Sequence, residues 1–550
     1  MKIHSRLVLL AAILVLSATT LWAQTPAGNG SASISGRLTL DGKPLAGVPV
    51  VVLQNDSPTS IGGVPAAKMV SKGVSDDQGF YRFDGLAGAG YKVLPCNPAY
   101  VVSGSQNSPY GPGKYVSLGD GEAVGNIDFS LIRASVISGR VTLADGRPAV
   151  GAWISVNTDH GGMLYDPATG MPRQGDRTDD NGVFRIYGLG ADKYKVSASI
   201  FAISQGPVFY PGVADRNSAG VVSVATGEEI TADIKVGGVG NDGNVTAGQF
   251  VDENGKPVAN VRFVIYPTSD SGRPVPGSAF SYGNSNSSGE FSVRNLSAGK
   301  HAMVLIPDDR SSYCTAEPVT FDPGSSEAAR LRVQAHVGAA ISGTAVIEGS
   351  SDPGVLSQLA NLRVFASSYD ETAPVPAGRS VTFSADGSFE AIGFLAGHLH
   401  LSLAQNKELN GFSLPRIERD GAPLKEGKLD IQDQERITGL RIVVGYGTGV
   451  IRGEVAGVDG AAIPGGTPVI VSVHSTSSDS PLLQRYSITD ARGHFEIDGL
   501  PDGDYTIAAV YRPQNGRPSP PRKQTVTLAG GQAPEMKLAV DIKGQPQTQQ

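Results

Sequence analysis

A short motif recurs along the chain, and this repetition constrains the fold more than any other feature of the sequence. In its clearest copy the motif reads Asp-Asp-Asn-Gly-Val-Phe-Arg-Ile-Tyr-Gly-Leu over residues 179–189. Its first glycine recurs at Gly79, Gly182, Gly289, Gly387 and Gly493. Self-similarity at a period of about 105 residues indicates a tandem array of domains, each long enough to form its own core.

The motif combines the chemistry of a tight turn with that of a half-buried strand. Acidic or polar residues precede each glycine, and such side chains stabilise turns by binding nearby backbone groups, while glycine readily adopts the left-handed conformation. Apolar residues then alternate with polar ones, which predicts a strand with one face towards the core. An aromatic residue stands two positions after each glycine, at Tyr81, Phe184, Phe291, Phe389 and Phe495.

A Gly-Leu pair ends this strand in copies one, two and five, and another alternating segment follows, as in Tyr194-Lys195-Val196. Copy four differs, because aligning its Phe394-Leu395 with the Gly-Leu pair leaves one extra residue after Gly387. An additional residue in a strand usually forms a β-bulge, so we expect a bulge at this point of copy four.

Composition agrees with an all-β chain. The 550 residues include 71 glycines and 36 prolines, about a fifth of the total, which is typical of a protein with many tight turns. Helical periodicity is nearly absent, and several short strands separated by turns predict a β-sandwich in each copy. The predicted sandwich modules, called repeats one to five below, span residues 33–134, 135–240, 243–338, 339–446 (divergent) and 449–541.

The order of these motifs resembles the carboxypeptidase regulatory-like domain. Its elements are an opening strand near a glycine, an Asp-Gly-Lys/Arg-Pro turn at 41–44 and 145–148, the Asp-x-x-Gly-x-Phe motif, and Tyr-x-Val. The resemblance covers nearly all of residues 33–541. It implies a transthyretin-like β-sandwich related to Cna-B-type and starch-binding-like modules, in an exported bacterial protein. The predicted fold is therefore a tandem array of five transthyretin-like seven-stranded β-sandwich modules.

The N-terminus has the pattern of a secretory signal peptide. Lys2 and Arg6 precede an apolar run over residues 7–16, and Leu-Trp-Ala at 21–23 offers a small-residue cleavage site after Ala23. An uncleaved membrane anchor is the alternative, although the run is shorter than the roughly 20 residues that a span needs. We predict a signal peptide over 1–23, disordered segments at 24–32 and 542–550, and no membrane span after cleavage.

Charge and cysteine content bear on two questions: which class of partner the chain binds, and whether disulfides stabilise its repeats. The formal net charge is −7 and the basic residues are scattered, which argues against nucleic acid as a partner. Cys96 and Cys314 belong to different repeats, so no disulfide framework staples each repeat. Two free thiols are favoured over a single long-range bridge.

Catalytic and metal motifs are largely missing from the sequence. No histidine is followed by glutamate three residues later, so the zinc site of a carboxypeptidase is not present. His398 and His400 share one face of a predicted strand but lack an evident third ligand, and Asp76-Asp77 and Asp179-Asp180 fit turns better than calcium sites. We therefore predict no catalytic residue, no cofactor and no metal site.

Aromatic residues in loops are the candidate ligand-binding residues, because sugars stack on exposed aromatic rings. Trp153 lies in a predicted strand and is assigned to the core. The candidates precede the last strand of repeats one and two, where packing onto the sandwich is the alternative role: Tyr100, Tyr110, Tyr115, Phe209 and Tyr210.

These observations predict a non-catalytic exported protein that acts as a scaffold, spacer or adhesion element in the cell envelope or outside the cell. A carbohydrate-binding protein is the first alternative, and a periplasmic component associated with outer-membrane transport is the second. The expected partner is a polysaccharide or an envelope protein. Stacked end to end, five sandwiches would reach on the order of 150 Å.

Overall fold

The protein is almost entirely β-structure in the computed structural model. The model describes residues 30–54, 68–103, 112–159, 164, 175–200, 207–213, 216–236, 245–269, 273–275, 280–294, 296, 298–308, 311–369, 377–403, 411–461, 463, 467–477, 482–512 and 518–542. The predicted signal peptide and Tyr110 lie outside these residues.

The described strands follow the repeats closely. Those of repeat one are β1 (Ala32–Leu40), β2 (Lys43–Pro44), β3 (Pro49–Gln54), β4 (Lys68–Val74), β5 (Phe80–Leu86), β6 (Gly90–Pro95), β7 (Tyr100–Val102), β8 (Lys114–Ser117), β9 (Ala123–Val124) and β10 (Phe129–Arg133). Those of repeat two are β11 (Ser135–Thr142), β12 (Trp153–Thr158), β13 (Asp176–Arg177), β14 (Val183–Leu189), β15 (Asp192–Ser199), β16 (Val208–Phe209), β17 (Val222–Val224), β18 (Glu229–Thr231) and β19 (Ile234–Lys235).

The later repeats continue this arrangement. Repeat three contributes β20 (Val245–Val251), β21 (Arg262–Pro267), β22 (Ser281–Asn284), β23 (Glu290–Arg294), β24 (His301–Leu305), β25 (Tyr313–Cys314), β26 (Val319–Phe321), β27 (Leu331–Gln334) and β28 (His336–Val337). Repeat four contributes β29 (Ala339–Glu348), β30 (Arg363–Tyr369), β31 (Ala377–Thr382), β32 (Ser388–Phe394), β33 (Gly397–Leu403), β34 (Phe412–Arg419), β35 (Ala422–Pro423), β36 (Leu429–Ile431) and β37 (Arg436–Tyr446). Repeat five contributes β38 (Gly449–Gly457), β39 (Val469–Ser475), β40 (Gln484–Ile488), β41 (His494–Leu500), β42 (Gly503–Tyr511), β43 (Arg522–Leu528) and β44 (Met536–Val540).

Helical structure is confined to short segments in the part of the chain that the structure describes. They are α1 (Pro353–Leu356) and 3-10 turns at Ala328–Arg330, Ser357–Asn361, Lys425–Gly427 and Val458–Gly460. Within the described residues, none of the helices has the length and apolar character needed to span a bilayer.

Each repeat places two sheets face to face. In repeat five, β38 pairs antiparallel with β41 and parallel with the last strand, β44, while β40, β39, β42 and β43 form the other sheet. The other repeats keep this plan with additions: β34 and β35 extend one sheet of repeat four, and β25 and β28 form a separate two-stranded sheet in repeat three. Apolar side chains of both sheets fill the space between them, as Ile34, Phe83, Val50 and Val93 do in repeat one. The all-β sandwich fold predicted from the repeated motif is confirmed.

The recurrent turn forms as its chemistry predicts. Asp179 Oδ1 accepts backbone N–H groups of Asn181 and Val183 at 2.9 and 2.8 Å, and Gly182 has φ +72°. Equivalent hydrogen bonds to Asp76, Asn286 and Asp490 support the same turn in three other repeats. In each case the side-chain oxygen accepts backbone N–H groups of the turn. The aromatic residue after each glycine is buried in all five repeats.

The bulge expected in repeat four is present, but its predicted cause is wrong. Ala339 pairs with Phe394 and Ala340 with Ile392, so the bulge falls at Gly393. The same register shift occurs in repeats one, two and five. Phe394 therefore corresponds to the leucine of the Gly-Leu pair, and repeat four has no extra residue. The glycine is needed because the bulge requires a positive φ, which is 99° at Gly393.

The repeats are not stacked end to end. The backbone N–H of Ala491 in repeat five donates to the Tyr115 carbonyl oxygen of repeat one at 2.8 Å, across more than three-fifths of the sequence. A contact between the first and last repeats is incompatible with a linear array, so the extended length estimated from the sequence does not apply.

Two further expectations concern individual residues. Cys96 and Cys314 are both buried thiols, in agreement with the alternative favoured from the sequence. Trp153 is half-buried, whereas its neighbour Ile154 is fully buried in the core. Trp153 therefore faces away from the core, because consecutive residues of a strand point to opposite faces, and Arg177 lies 5.5 Å from its ring.

Candidate functional site

A cleft of ≈ 710 Å³ lies where repeat five meets repeat one. One wall comes from β8 and the turn after it, and the other from β38, β40 and β41. The recurrent turn, here Asp490 to Gly493, shapes this contact. Asp490 Oδ1 accepts the backbone N–H groups of Arg492 and His494, both at 2.9 Å, and this fixes the direction in which Arg492 leaves the turn.

Arg492 is the main link across the cleft. Its Nη1 lies 2.5 Å from Glu122 Oε1, its Nη2 donates to the Ser117 carbonyl oxygen at 2.7 Å, and its Nε donates to Asp490 Oδ2 at 3.0 Å. The guanidinium thus has acceptors in both repeats. Arginine contacts with several acceptors fix the relative orientation of the groups they join, and the charge adds electrostatic attraction.

Glu122, the acidic partner of Arg492, is held in position by the turn in which it lies. Gly119 N–H donates to Glu122 Oε2 at 2.8 Å. This backbone hydrogen bond, together with the side-chain hydrogen bond from Arg492, holds the pKa of Glu122 below its ordinary value. Glu122 therefore remains a carboxylate in mildly acidic solution and keeps its ionic contact there.

The rest of the cleft is polar and mixed in charge. Arg452 Nε pairs with Glu496 Oε2 at 2.6 Å, and these residues face each other across β38 and β41. Asp120, Asp498 and Glu535 add carboxylates. This arrangement offers hydrogen-bond donors and acceptors to a polar ligand, with an aromatic ring, Tyr115, at one side.

The sequence-predicted aromatic residues are not brought together. Tyr100 lies half-buried on β7 and packs against the core of repeat one, whereas Tyr115 is on β8 in the other sheet. Phe209 is buried, and Tyr210 packs on the core of repeat two. Of these four residues, Tyr115 alone lines the cleft, and Lys92 Nζ lies 5.4 Å from its ring.

A second cluster of reactive side chains lies between repeats three and four. Cys314 and His336 are paired neighbours on β25 and β28, and Asp433 comes from the turn between β36 and β37. Cys314 Sγ lies 3.3 Å from His336 Nε2, which is 2.7 Å from Asp433 Oδ1. Burial, with a smaller effect of the Asp433 charge, raises the pKa of Cys314 to about 12.

Sequence reasoning missed both groups. Arg492 occupies the third position of a turn motif and has no distinguishing feature in the sequence, while His336 and Asp433 are far apart along the chain. The histidines that the sequence singled out behave differently: His398 Nδ1 pairs with Asp430 Oδ1 on the surface, and His400 is exposed.

Comparisons with known proteins give distant structural similarities. No family model and no curated protein matches the chain. The chain is similar to a Streptococcal ancillary pilin (13% identity, TM-score 0.20, covering 56% of this chain and 99% of the pilin). It is also similar to the minor pilin GBS52 of Streptococcus agalactiae (14%, TM-score 0.19, 37% and 95%) and to the major pilin subunit of Bacillus cereus (10%, TM-score 0.15, 74% and 100%).

Proposed function

We propose that this chain is a non-catalytic exported scaffold or adhesion protein, built from carboxypeptidase regulatory-like repeats that are fastened to one another. The observation that carries the proposal is the attachment of repeat five to repeat one by Arg492, Glu122 and Ser117. At this contact the charged groups of Arg492 and Glu122 join two repeats. None of the three residues provides an activated nucleophile.

Other contacts between repeats support a fixed assembly. Arg485 of repeat five is buried and donates to the Phe412 carbonyl oxygen of repeat four, and the Leu482 N–H donates to the Pro415 carbonyl oxygen at 2.9 Å. Arg379 of repeat four donates to Ser312 of repeat three at 3.1 Å. An arginine that donates a hydrogen bond across an interface favours one relative orientation of its domains.

Two measurements test this proposal. An epitope placed after residue 550 should be accessible to protease outside the cytoplasmic membrane of the producing bacterium. Small-angle scattering of the purified chain should give a particle more compact than a string of five separate sandwiches. Retention of the chain in the cytoplasm would contradict export, and a flexible elongated particle would contradict a fastened scaffold.

A carbohydrate-binding role is the second candidate, favoured by the cleft. Carboxylates and arginines bind sugar hydroxyls, and Tyr115 supplies a ring beside them. A glycan array probed with the purified chain tests this role, with Tyr115→Ala as the site variant. Tyr282→Ala is the matched control, because Tyr282 is exposed on repeat three, outside the cleft. Binding that is lost in the first variant and kept in the second is the expected result, and equal binding by both would overturn the assignment.

A further inference from the structure

We propose that Cys314, His336 and Asp433 bind a zinc ion between repeats three and four. Thiolate, imidazole and carboxylate are the protein ligands of zinc, and three of them with one open position form a known type of zinc site. The ligand atoms of the three residues all lie within 4.8 Å of one another.

The direction of the contacts distinguishes a metal site from a hydrogen-bonded triad. In a triad of the protease type, the histidine uses one ring nitrogen for the nucleophile and the other for the carboxylate. Here Cys314 Sγ and Asp433 Oδ1 both face the same nitrogen, Nε2 of His336. Three lone-pair donors this close together can surround one cation, whereas a relay would need both ring nitrogens of the histidine.

Protonation alone does not satisfy this arrangement well. One ring nitrogen carries at most one proton, so a single N–H would have to serve both the carboxylate and the sulfur. If Nε2 instead accepted the thiol proton, its lone pair would face the Asp433 carboxylate at 2.7 Å. A cation at the meeting point would use all three lone pairs at once.

The spacing fits zinc after a small adjustment. Around a tetrahedral zinc, sulfur and nitrogen lie about 3.5 Å apart and nitrogen and oxygen about 3.3 Å apart. The Cys314–His336 contact of 3.3 Å is close to the first value. Asp433 would have to move outward by roughly half an ångström, and its side chain, 34% exposed, has room to do so.

The residues around Cys314 and those around Asp433 both favour metal binding. Cys314 belongs to a buried apolar cluster with Val264, Tyr266, Ile306 and Leu395, which keeps water from the sulfur. Asp433 lies in a turn held by Glu435, whose carboxylate accepts the Gln432 N–H at 2.7 Å. The metal would enter from the Asp433 side, where solvent supplies the fourth ligand.

Metal titration of the purified full chain, stripped with a chelator, tests the proposal. Zinc added against a chromophoric indicator should bind with one equivalent at this site. Cobalt(II) should produce a thiolate-to-cobalt charge-transfer band and the visible bands of tetrahedral cobalt. Cys314→Ser should remove the charge-transfer band. Asp433→Asn should weaken zinc binding by about 100-fold or more, because loss of a direct ligand costs more than the 10–100-fold of an outer partner.

The chain offers matched controls. Cys96→Ser removes the other buried thiol, and His398→Ala removes a histidine paired with an aspartate but without a thiol. Both should keep the stoichiometry and the cobalt spectrum. Asp433 is on the surface, so its variant tests the site even if substitution of Cys314 impairs folding. No stoichiometric binding, or a cobalt band that survives Cys314→Ser or disappears in Cys96→Ser, would overturn the proposal.

Discussion

Arg492 in repeat five and Glu122 in repeat one form an ion pair of 2.5 Å, although 370 residues separate them in the sequence. The same guanidinium also binds Ser117 of repeat one and Asp490 of its own turn. This one side chain thus connects the two ends of the array.

Replacing Arg492 with alanine should separate repeats one and five without unfolding either, because its side chain contacts repeat one and its own turn and is not part of either core. Spin labels at Lys43→Cys and Arg522→Cys, both exposed, should show a longer and broader distance distribution than in the parent chain. Arg185→Ala is the control, since Arg185 pairs with Glu229 within repeat two. An unchanged distribution in the Arg492 variant would show that the pair does not hold the contact.

Acidification should loosen the same contact. The folded-state pKa of Glu122 is below its ordinary value of 4.5, so its stabilising effect is fully present above that pH and is lost as the pH falls through the lowered pKa. The label distance should therefore lengthen below pH 4.5. Glu122→Gln should give a long distance at every pH, whereas Glu229→Gln should preserve the pH response. A pH-independent distance in the parent chain would contradict this.

The recurrent turn should depend on its first acidic residue and not on the second. Asp179→Ala removes the acceptor of two backbone N–H groups and should lower the free energy of unfolding of repeat two by about 1–2 kcal/mol. Asp180→Ala should change it by less than about 0.5 kcal/mol, because the hydrogen bond that Asp180 accepts in the described turn comes from the exposed side chain of Asn181. Native-state hydrogen exchange of repeat two measures both, and equal effects would refute the assigned role.

Buried Lys92 should make the stability of repeat one depend on alkaline pH. Burial lowers its pKa from 10.5 to about 8, so between these values the unfolded chain binds more protons and stability rises with pH. Lys92→Met should remove this rise and should stabilise repeat one at pH 7 by up to about 3 kcal/mol. Hydrogen exchange of repeat one at pH 7 and pH 10 provides the test. A parent chain and variant with parallel pH profiles would show that Lys92 keeps its ordinary pKa.

The sequence predicts local structure well where one turn decides it. The Asp-x-x-Gly turn and the buried aromatic two residues later follow from the chemistry of residues adjacent in sequence. The bulge in repeat four is predicted from an extra residue that does not exist, because the sequence alone aligns Leu395 with the Gly-Leu pair where Phe394 belongs. Register depends on pairing with β29, and that partner is not adjacent in sequence.

The candidate sites could not be predicted in the same way. Cys314 and His336 meet because β25 and β28 pair, and Asp433 joins them from another repeat. Residue type and loop position identify the aromatic candidates in the sequence, but neither property reveals how a side chain packs. Burial of Phe209 and the packing of Tyr100 and Tyr210 against cores are properties of the folded sandwich.

In each repeat the opening strand pairs in parallel with a strand near the end of the repeat, and this has a consequence for synthesis. Since β38 finds one of its neighbours only in β44, repeat five cannot complete its sheet until its final residues are available. A chain truncated before residue 536 would leave an open edge on β38, and unpaired edges promote aggregation. Repeat five therefore completes its opening sheet only after its C-terminal strand has been synthesised.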